Sequence, residues 1–327
     1  MIFHIYADET NIGDLVSALG IKKSLGIRNT RNFVFREYME KNGDSWHSVM
    51  CDEIQKNAKL TDLIVIGGGG LFQACFENFW KEFLKREYKT ETYLWGIGNC
   101  EIKDESTLLP RQLIEEIMIK TTILSVRDQR TAAWISHARS IKIIGCPSLS
   151  YFGNSRHFKS SRQITPTRML YVKHEGLEKE FDKEITAHIE KIASDNNFEL
   201  KMINNFIPSA LYKNELLDNY SWADVVITSR LHGCIIGYAY AKKVIAISND
   251  HKIDEFMLAT NSHEYVYTPR EFLDSDVFIQ EIRNQIIDRK YLIQTIFQNK
   301  LIGLRIKRRY LALNLLYGIF SPAKCKF

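Results

Sequence analysis

Short apolar runs alternate with stretches of helical periodicity from the first residue onward. The run IFHIY at 2–6 precedes GDLVSALGIKKSL, FVFRE precedes DSWHSVMCDEIQK, and DLIVIGGGG precedes FENFWKEFLKR. TYLWGIG, PRQLIEEIMIK, TTILSV, TAAWISHA and IKIIGCP carry the series to about residue 150. Strands and helices taking turns at this spacing predict βαβ units around a mostly parallel sheet covered on both faces. Residues 1–150 are therefore read as one Rossmann-like domain.

Residues 151–168, YFGNSRHFKSSRQITPTR, break the pattern: they lack periodic apolar positions, carry four Lys or Arg and no acid, and read as a linker. Alternation resumes with MLYVKH, a helix around 178–195, FELKMI, ALYKNELLDNY, DVVITSRLHG, IIGYAYA, KVIAIS and KIDEFML. Residues 169–270 thus predict a second, smaller domain of the same doubly wound type, and 271–327 a helical C-terminal region. The fold class expected is α/β, with two Rossmann-like domains facing a cleft. Ligands of open α/β sheets bind beyond the carboxyl ends of the strands, so motifs at strand ends carry the most weight.

Composition narrows the class. With 45% hydrophobic and 25% charged residues over 327 positions, the chain is an ordinary globular protein with material for two cores. The N-terminus MIFHIYADET has no basic, apolar and small-residue succession of a secretory signal, and no run of 18 apolar residues occurs, so a cytoplasmic protein is expected. Six cysteines, each at least 24 residues from the next, form no CxxC pair, and no cluster of acids and histidines suggests a metal or resident cofactor. Of the net charge of +5, residues 301–327 supply six basic side chains and no acid, leaving the first 300 residues nearly neutral. A nucleic-acid surface would need basic residues spread over a groove-sized face, and none is expected.

Three strand ends hold candidate chemistry. Gly67, Gly68, Gly69 and Gly70 follow LIVI directly, where glycine lets backbone approach a ligand and leaves amide N–H groups to face an anion; the same glycines would serve a tight turn. Gly96 and Gly98 of WGIG end the next strand in the same manner. In TSRLHG, Ser229, Arg230 and His232 fall on a loop and first helical turn, where a guanidinium fork and a helix N-terminus both favour phosphate or carboxylate; an arginine paired with a carboxylate and a histidine capping its own loop is the other reading, and the better one for the motif alone. SVRD delivers Arg127 and Asp128 from a strand of the other domain, so two arginines would clamp one anion across the cleft, and Lys252 and Asp254 lie past a further strand end.

NIGD at Asn11 to Asp14, VIGGGGLF, WGIG, SVRD, GCP at Gly145 to Pro147, TSRLHG and NDHKIDEF occur in the order and spacing of the polysaccharide pyruvyl transferases, a family the chain resembles over residues 1–260. The resemblance implies a fold similar to two-domain glycosyltransferases of the B type, and transfer of a pyruvyl group from phosphoenolpyruvate to a sugar as a ketal. By the same resemblance Arg127, Arg230 and His232 match the family's donor-binding and catalytic positions, and Asn11 and Asp14 join the cleft. The chain departs from the family at Ala241, Lys242 and Lys243, where members often carry Gly-x-Pro, and at Ser148, where many carry Asp. The scheme needs phosphoenolpyruvate as co-substrate and no cofactor: Arg127, Arg230, Ser229, Lys252 and the glycines bind the donor, His232 transfers the proton, and Asp128 orients the histidine or activates the acceptor. A nucleotide-sugar glycosyltransferase on the same architecture is the competing reading.

The tail LIGLRIKRRYLALNLLYGIF sets basic residues beside an apolar run. Burial against the first domain is one expectation. The sharper one is contact of residues 301–327, led by the cluster at Arg305 to Arg309, with the inner leaflet that carries a lipid-linked sugar acceptor; the chain cut after residue 300 would then remain folded.

Overall fold

The computed structural model describes residues 1–99, 107–135, 141–153, 167–174, 179–248, 250–274, 285 and 287–319. Five strands, β1 (Ile2–Tyr6), β2 (Thr30–Val34), β3 (Leu63–Gly67), β4 (Glu91–Ile97) and β5 (Thr122–Val126), pair in parallel in the order β2-β1-β3-β4-β5. Successive side chains of a strand point to opposite faces, and the apolar runs are long enough to fill both. Phe3, Ile5, Ile64, Ile66 and Leu94 join one buried cluster with residues of α3 (Trp46–Asn57), α4 (Glu77–Lys85) and α5 (Arg111–Lys120). Ile2, Leu63, Val65, Tyr93 and Trp95 join another, with Ile21 and Leu25 of α1 (Ile12–Leu25). Two further helices, α2 (Phe35–Asn42) and α6 (Gln129–Ile135), follow β2 and β5, and α7 (Ser148–Phe152) leads onward.

The second sheet holds β6 (Arg168–Lys173), β7 (Glu199–Asn204), β8 (Val225–Thr228), β9 (Lys243–Ile247) and β10 (Val266–Tyr267), also parallel, in the order β10-β9-β8-β6-β7. The winding repeats that of the first sheet: the leading strand lies between the second and the third. Met169, Tyr171, Val225, Ile227, Ile245 and Ile247 pack with Ile185 and Ile189 of α8 (Lys179–Asp195) and Phe272 of α12 (Pro269–Asp274). α9 (Lys213–Trp222) precedes β8, α10 (Leu231–Ala239) follows it, and α11 (His251–Ala259) follows β9. α10 approaches closely because Gly233 carries no side chain: a Cβ there would lie 2.1 Å from Thr228 Oγ1.

The partition of the chain differs from the sequence reading. Met1–Glu9, Asp14–Tyr151 and Thr295–Phe327 form one compact unit, and Thr10–Gly13 with Phe152–Gln294 the other. The linker expected at 151–168 falls mostly outside the described residues. Residues 271–327 are not a separate region: α13 (Lys290–Ile319) is a single long helix whose segment from Thr295 belongs to the first unit. Ile302, Ile306 and Leu313 join the cluster beneath β1, β3 and β4, Trp95 Nε1 donates to Asn299 Oδ1 at 2.7 Å, and Arg309 pairs with Glu91. This bears out burial of part of the tail against the first domain and corrects the expectation that the chain cut after residue 300 remains folded. Cutting after residue 300 removes part of the first unit's core, and the Arg305 to Arg309 cluster is divided by Ile306, which is buried, and by the Arg309 ion pair. Among the described residues no helix is long and apolar enough to cross a membrane.

Candidate active site

In an open sheet wound this way, the crevice forms where the strand order reverses, between the ends of the first and third strands of each unit. In the second unit those strands are β6 and β8. β6 ends at Lys173, so His174 stands at its carboxyl end, while β8 delivers Ser229 and Arg230. Arg230 is the residue before α10, half-buried; its Nε donates to Lys173 O at 2.6 Å and its guanidinium lies 5.0 Å from the centre of the Phe206 ring. β9 feeds α11 through Asp250, which caps that helix by accepting from the Lys252 amide, and the Lys252 ammonium lies 2.9 Å from the same carboxylate. Burial first, then the positive charges of Arg230 and Lys252, pull the His174 imidazole down to about 4, with Asp250 opposing, so His174 is neutral at neutral pH. The guanidinium of Arg230 and the N-terminus of α10 thus face the end of this sheet and favour an anion, while the Asp250 carboxylate already caps α11 and pairs with the Lys252 ammonium. The Ser229 hydroxyl is buried there and faces the phenol of Tyr171.

His232 occupies the first turn of α10 and is half-buried. Its ring is seated by the segment Thr10–Gly13, which pairs with the chain after β7: Ile12 N donates to Asn205 O at 2.9 Å and Ile207 N to Thr10 O at 2.8 Å. Asn11 Oδ1 accepts from Gly13 N, closing the turn. A Cβ on Gly13 would stand 2.1 Å from His232 Nδ1, so only glycine lets the imidazole lie where it does. The Asn11 to Asp14 motif is therefore split: Asn11 and Gly13 support the histidine of the second unit, whereas Asp14 starts the first unit's share of α1 and its Oδ1 lies beside Gly69.

In the first unit the residues singled out in the sequence are bound into structure. Arg127 follows β5 and is buried; its Nη2 donates to Asn99 O at 3.0 Å and its Nε lies 3.3 Å from Asp128 Oδ2. Asp128 also accepts from Thr131 N at 2.7 Å, capping the first turn of α6. Gly98 lies under the guanidinium, where a Cβ would stand 2.2 Å from Arg127 Nε. Of the glycine block, Gly67 to Gly69 are buried: Gly67 abuts Trp95 O, Gly68 adopts φ +89° against α1, and Gly69 O accepts from Gly98 N. Only Gly70 is half-exposed. Gly96 lies within β4 rather than past its end, at φ +60° and packed under Pro147. The arginine of this unit comes from the edge strand β5, not from the reversal point between β1 and β3.

Sequence reading missed His174, Asp250 and Phe206. The signal for His174 was present, a titratable residue closing the apolar run MLYVKH, and the strand-end rule applied to that run would have found it. Among the described residues no cluster of three or more His, Cys, Asp or Glu side chains is placed to hold a metal ion.

No curated protein sequence matches the chain. Among solved structures, the Staphylococcus aureus MnaA–UDP co-structure has a TM-score of 0.57 at 11% identity, covering 95% of this chain and 97% of that one. A putative UDP-N-acetylglucosamine 2-epimerase from Listeria monocytogenes gives 0.60 at 8%, over 94% and 96%, and the UDP-GlcNAc 2-epimerase from Methanocaldococcus jannaschii 0.58 at 12%, over 93% and 98%. At these identities the likeness is one of fold: two Rossmann-like units in one chain. The sequence itself is more specific, since the model of one transferase family matches residues 11–251, taking in the Asn11 turn, the Arg127 strand end, His174, Arg230 and His232, and on that match the chain belongs to the polysaccharide pyruvyl transferase family.

Proposed function

We propose that this enzyme moves a pyruvyl group from phosphoenolpyruvate to a sugar of a cell-surface polysaccharide precursor, with the donor held at the carboxyl end of the second sheet. The observation that carries this reading is the gathering of Arg230, the N-terminus of α10 and the Lys252–Asp250 pair around neutral, half-buried His174. Phosphoenolpyruvate presents a phosphate and a carboxylate, and taking both from water requires fixed cationic partners. Arg230 supplies one such cation and Lys252, shared with Asp250, a second, and the Ser229 hydroxyl beside the Tyr171 phenol adds a further donor.

His232, protonated, gives its proton to the methylene carbon of the donor, and the enol carbon develops oxocarbenium character. An acceptor hydroxyl attacks that carbon and returns a proton to the imidazole. The bond between that carbon and the phosphate oxygen then breaks with its electron pair leaving on phosphate, and the neighbouring hydroxyl attacks in turn, giving its proton to the departing phosphate as the ketal closes. The Gly13 seat holds the imidazole to one position through both proton transfers. The acceptor is a sugar, free or carried as a lipid-linked oligosaccharide.

The solved neighbours named above include a co-structure with UDP and a UDP-GlcNAc 2-epimerase, which makes a nucleotide-sugar donor the alternative to test. Melting temperature measured with phosphoenolpyruvate and with a panel of UDP-sugars separates the two. Donor at a hundredfold its dissociation constant adds about 2.7 kcal/mol to stability, a shift of several degrees. A rise with phosphoenolpyruvate, together with phosphate release in the presence of a soluble glycoside acceptor, is expected. A rise with a UDP-sugar alone would replace pyruvyl transfer by glycosyl transfer.

A further inference from the structure

α13 carries two apolar faces. Within the first unit, Thr295, Asn299, Ile302, Ile306 and Leu313 point into the protein. Phe297, Leu301, Leu304, Leu311 and Leu315 recur at the three- and four-residue steps that define one side of a helix, and they are 42% to 65% exposed. Arg308 falls in the gap between Leu304 and Leu311, in register with the stripe, and Lys300 and Lys307 flank it. The helix from Lys290 to Ile319 has six basic residues and no acid. Arg309 alone of the cluster at 305–309 is described in an ion pair, with Glu91 on the far side of Arg308 from Lys307.

We infer that this outer face docks on an anionic lipid surface, leucines in the acyl boundary and Lys300, Lys307 and Arg308 on the headgroups. An exposed leucine row could equally receive a second copy of the chain. Charge decides against that partner, because pairing two such faces sets like charges against like with no acid on either helix to answer them. An anionic membrane answers all three at once and takes the leucines from water. Burial of the inner face does not compete with this, since the two faces lie on opposite sides of the helix. The inference extends the proposed function by giving the enzyme a route to a lipid-borne acceptor, but the binding itself requires neither donor nor acceptor.

The test is sedimentation of the full chain with vesicles of phosphatidylglycerol and phosphatidylcholine, and with phosphatidylcholine alone. Binding to the anionic vesicles that weakens as salt rises is expected, and each of Lys300→Gln and Arg308→Gln should lower the partition coefficient about fivefold. The pair Leu304→Glu and Leu311→Glu should abolish binding while leaving the melting temperature unchanged, because both side chains face outward. Failure to bind at low salt, undiminished binding by the Glu pair, or a wild-type dimer that the Glu pair converts to a monomer would each overturn the inference. Turnover on a soluble acceptor should be the same in wild type and the Glu pair; loss of pyruvyl transfer with vesicle binding intact would count against the proposed reaction and not against the docking face.

Discussion

The two sheets have the same winding order, and each sends an arginine from a strand end, but the two arginines are held in different ways. Arg127 leaves the edge strand β5, is buried, and ties Asn99 and the Asp128 cap of α6 together. Arg230 leaves the central strand β8 at the reversal point, half-buried, beside Lys252 and a histidine whose ionisation it suppresses. The same residue type at equivalent-looking positions is tied to its own unit's backbone and helix cap in one case and stands at the reversal of strand order in the other. Which strand supplies it makes the difference. β8 lies beside β6, where the strand order reverses, while β5 is the edge strand that α6 follows.

The comparison breaks most visibly under paired substitution. Arg127→Met leaves Asp128 and Asn99 O buried without their cation and should cost on the order of 3–5 kcal/mol of stability, read as a lowered denaturation midpoint. Arg230→Met should change stability by about 1 kcal/mol and raise the donor KM about 10- to 100-fold, the worth of a charge-assisted contact. A donor KM that rises in Arg127→Met with stability intact would move Arg127 into the binding surface and erase the distinction.

The alternation of runs was enough to predict both α/β units, because strands buried on both faces are written as unbroken apolar segments such as LIVI and DVVIT. Strand order was not written there, and the weight given to Arg127 relative to His174 depended on it. Glycines were legible as needed but not as to purpose: Gly67 and Gly68 serve the packing of β3 against β4 and α1, a tertiary requirement that the four-letter run does not distinguish from an anion loop. The tail was ambiguous for a similar reason. Apolar residues on both sides of α13 blur its amphipathic pattern, and only the packing of Ile302 and Ile306 separates the inward side from the outward one. The exchange of Thr10–Gly13 into the second unit has no local signature at all.

Glycine seats beneath the key side chains provide a second, smaller contrast. Gly98→Ala and Gly13→Ala introduce the same methyl at 2.2 Å from Arg127 Nε and 2.1 Å from His232 Nδ1. Gly98→Ala should act through stability. Gly13→Ala should displace the imidazole and lower kcat about 10²-fold with the donor KM little changed, since a displacement of about 1 Å at a reacting group has that effect. The pH–rate profile should change shape with it, because the group that transfers the proton has moved. If Gly13→Ala lowers the melting temperature and leaves kcat and its pH dependence alone, the close contact is packing and His232 is not the proton-transfer group.

Two depressed histidines, one in each unit, give the finest version of the comparison. His4 in β1 is buried with Nε2 lacking a partner, and burial pulls it down to about 4, the charge of Lys22 adding a lesser push. His174 reaches about 4 by burial together with the charges of Arg230 and Lys252. Both folded-state values lie below the unfolded value of about 6.5, so between pH 6.5 and 4 the unfolded chain takes up protons that the folded chain refuses. Stability is therefore fully present above pH 6.5 and falls as pH drops toward 4, by on the order of 3 kcal/mol for His4. Anion binding separates the two. Phosphoenolpyruvate at Arg230 and Lys252 offsets the charges that hold His174 down, so its titration midpoint should move up toward the ordinary range, while His4, buried in the sheet of the other unit, should keep its own. Titration of the two imidazole resonances with and without the donor reads both at once. Equal movement of both, or of neither at saturating donor, would mean that the anion does not sit at the end of the second sheet.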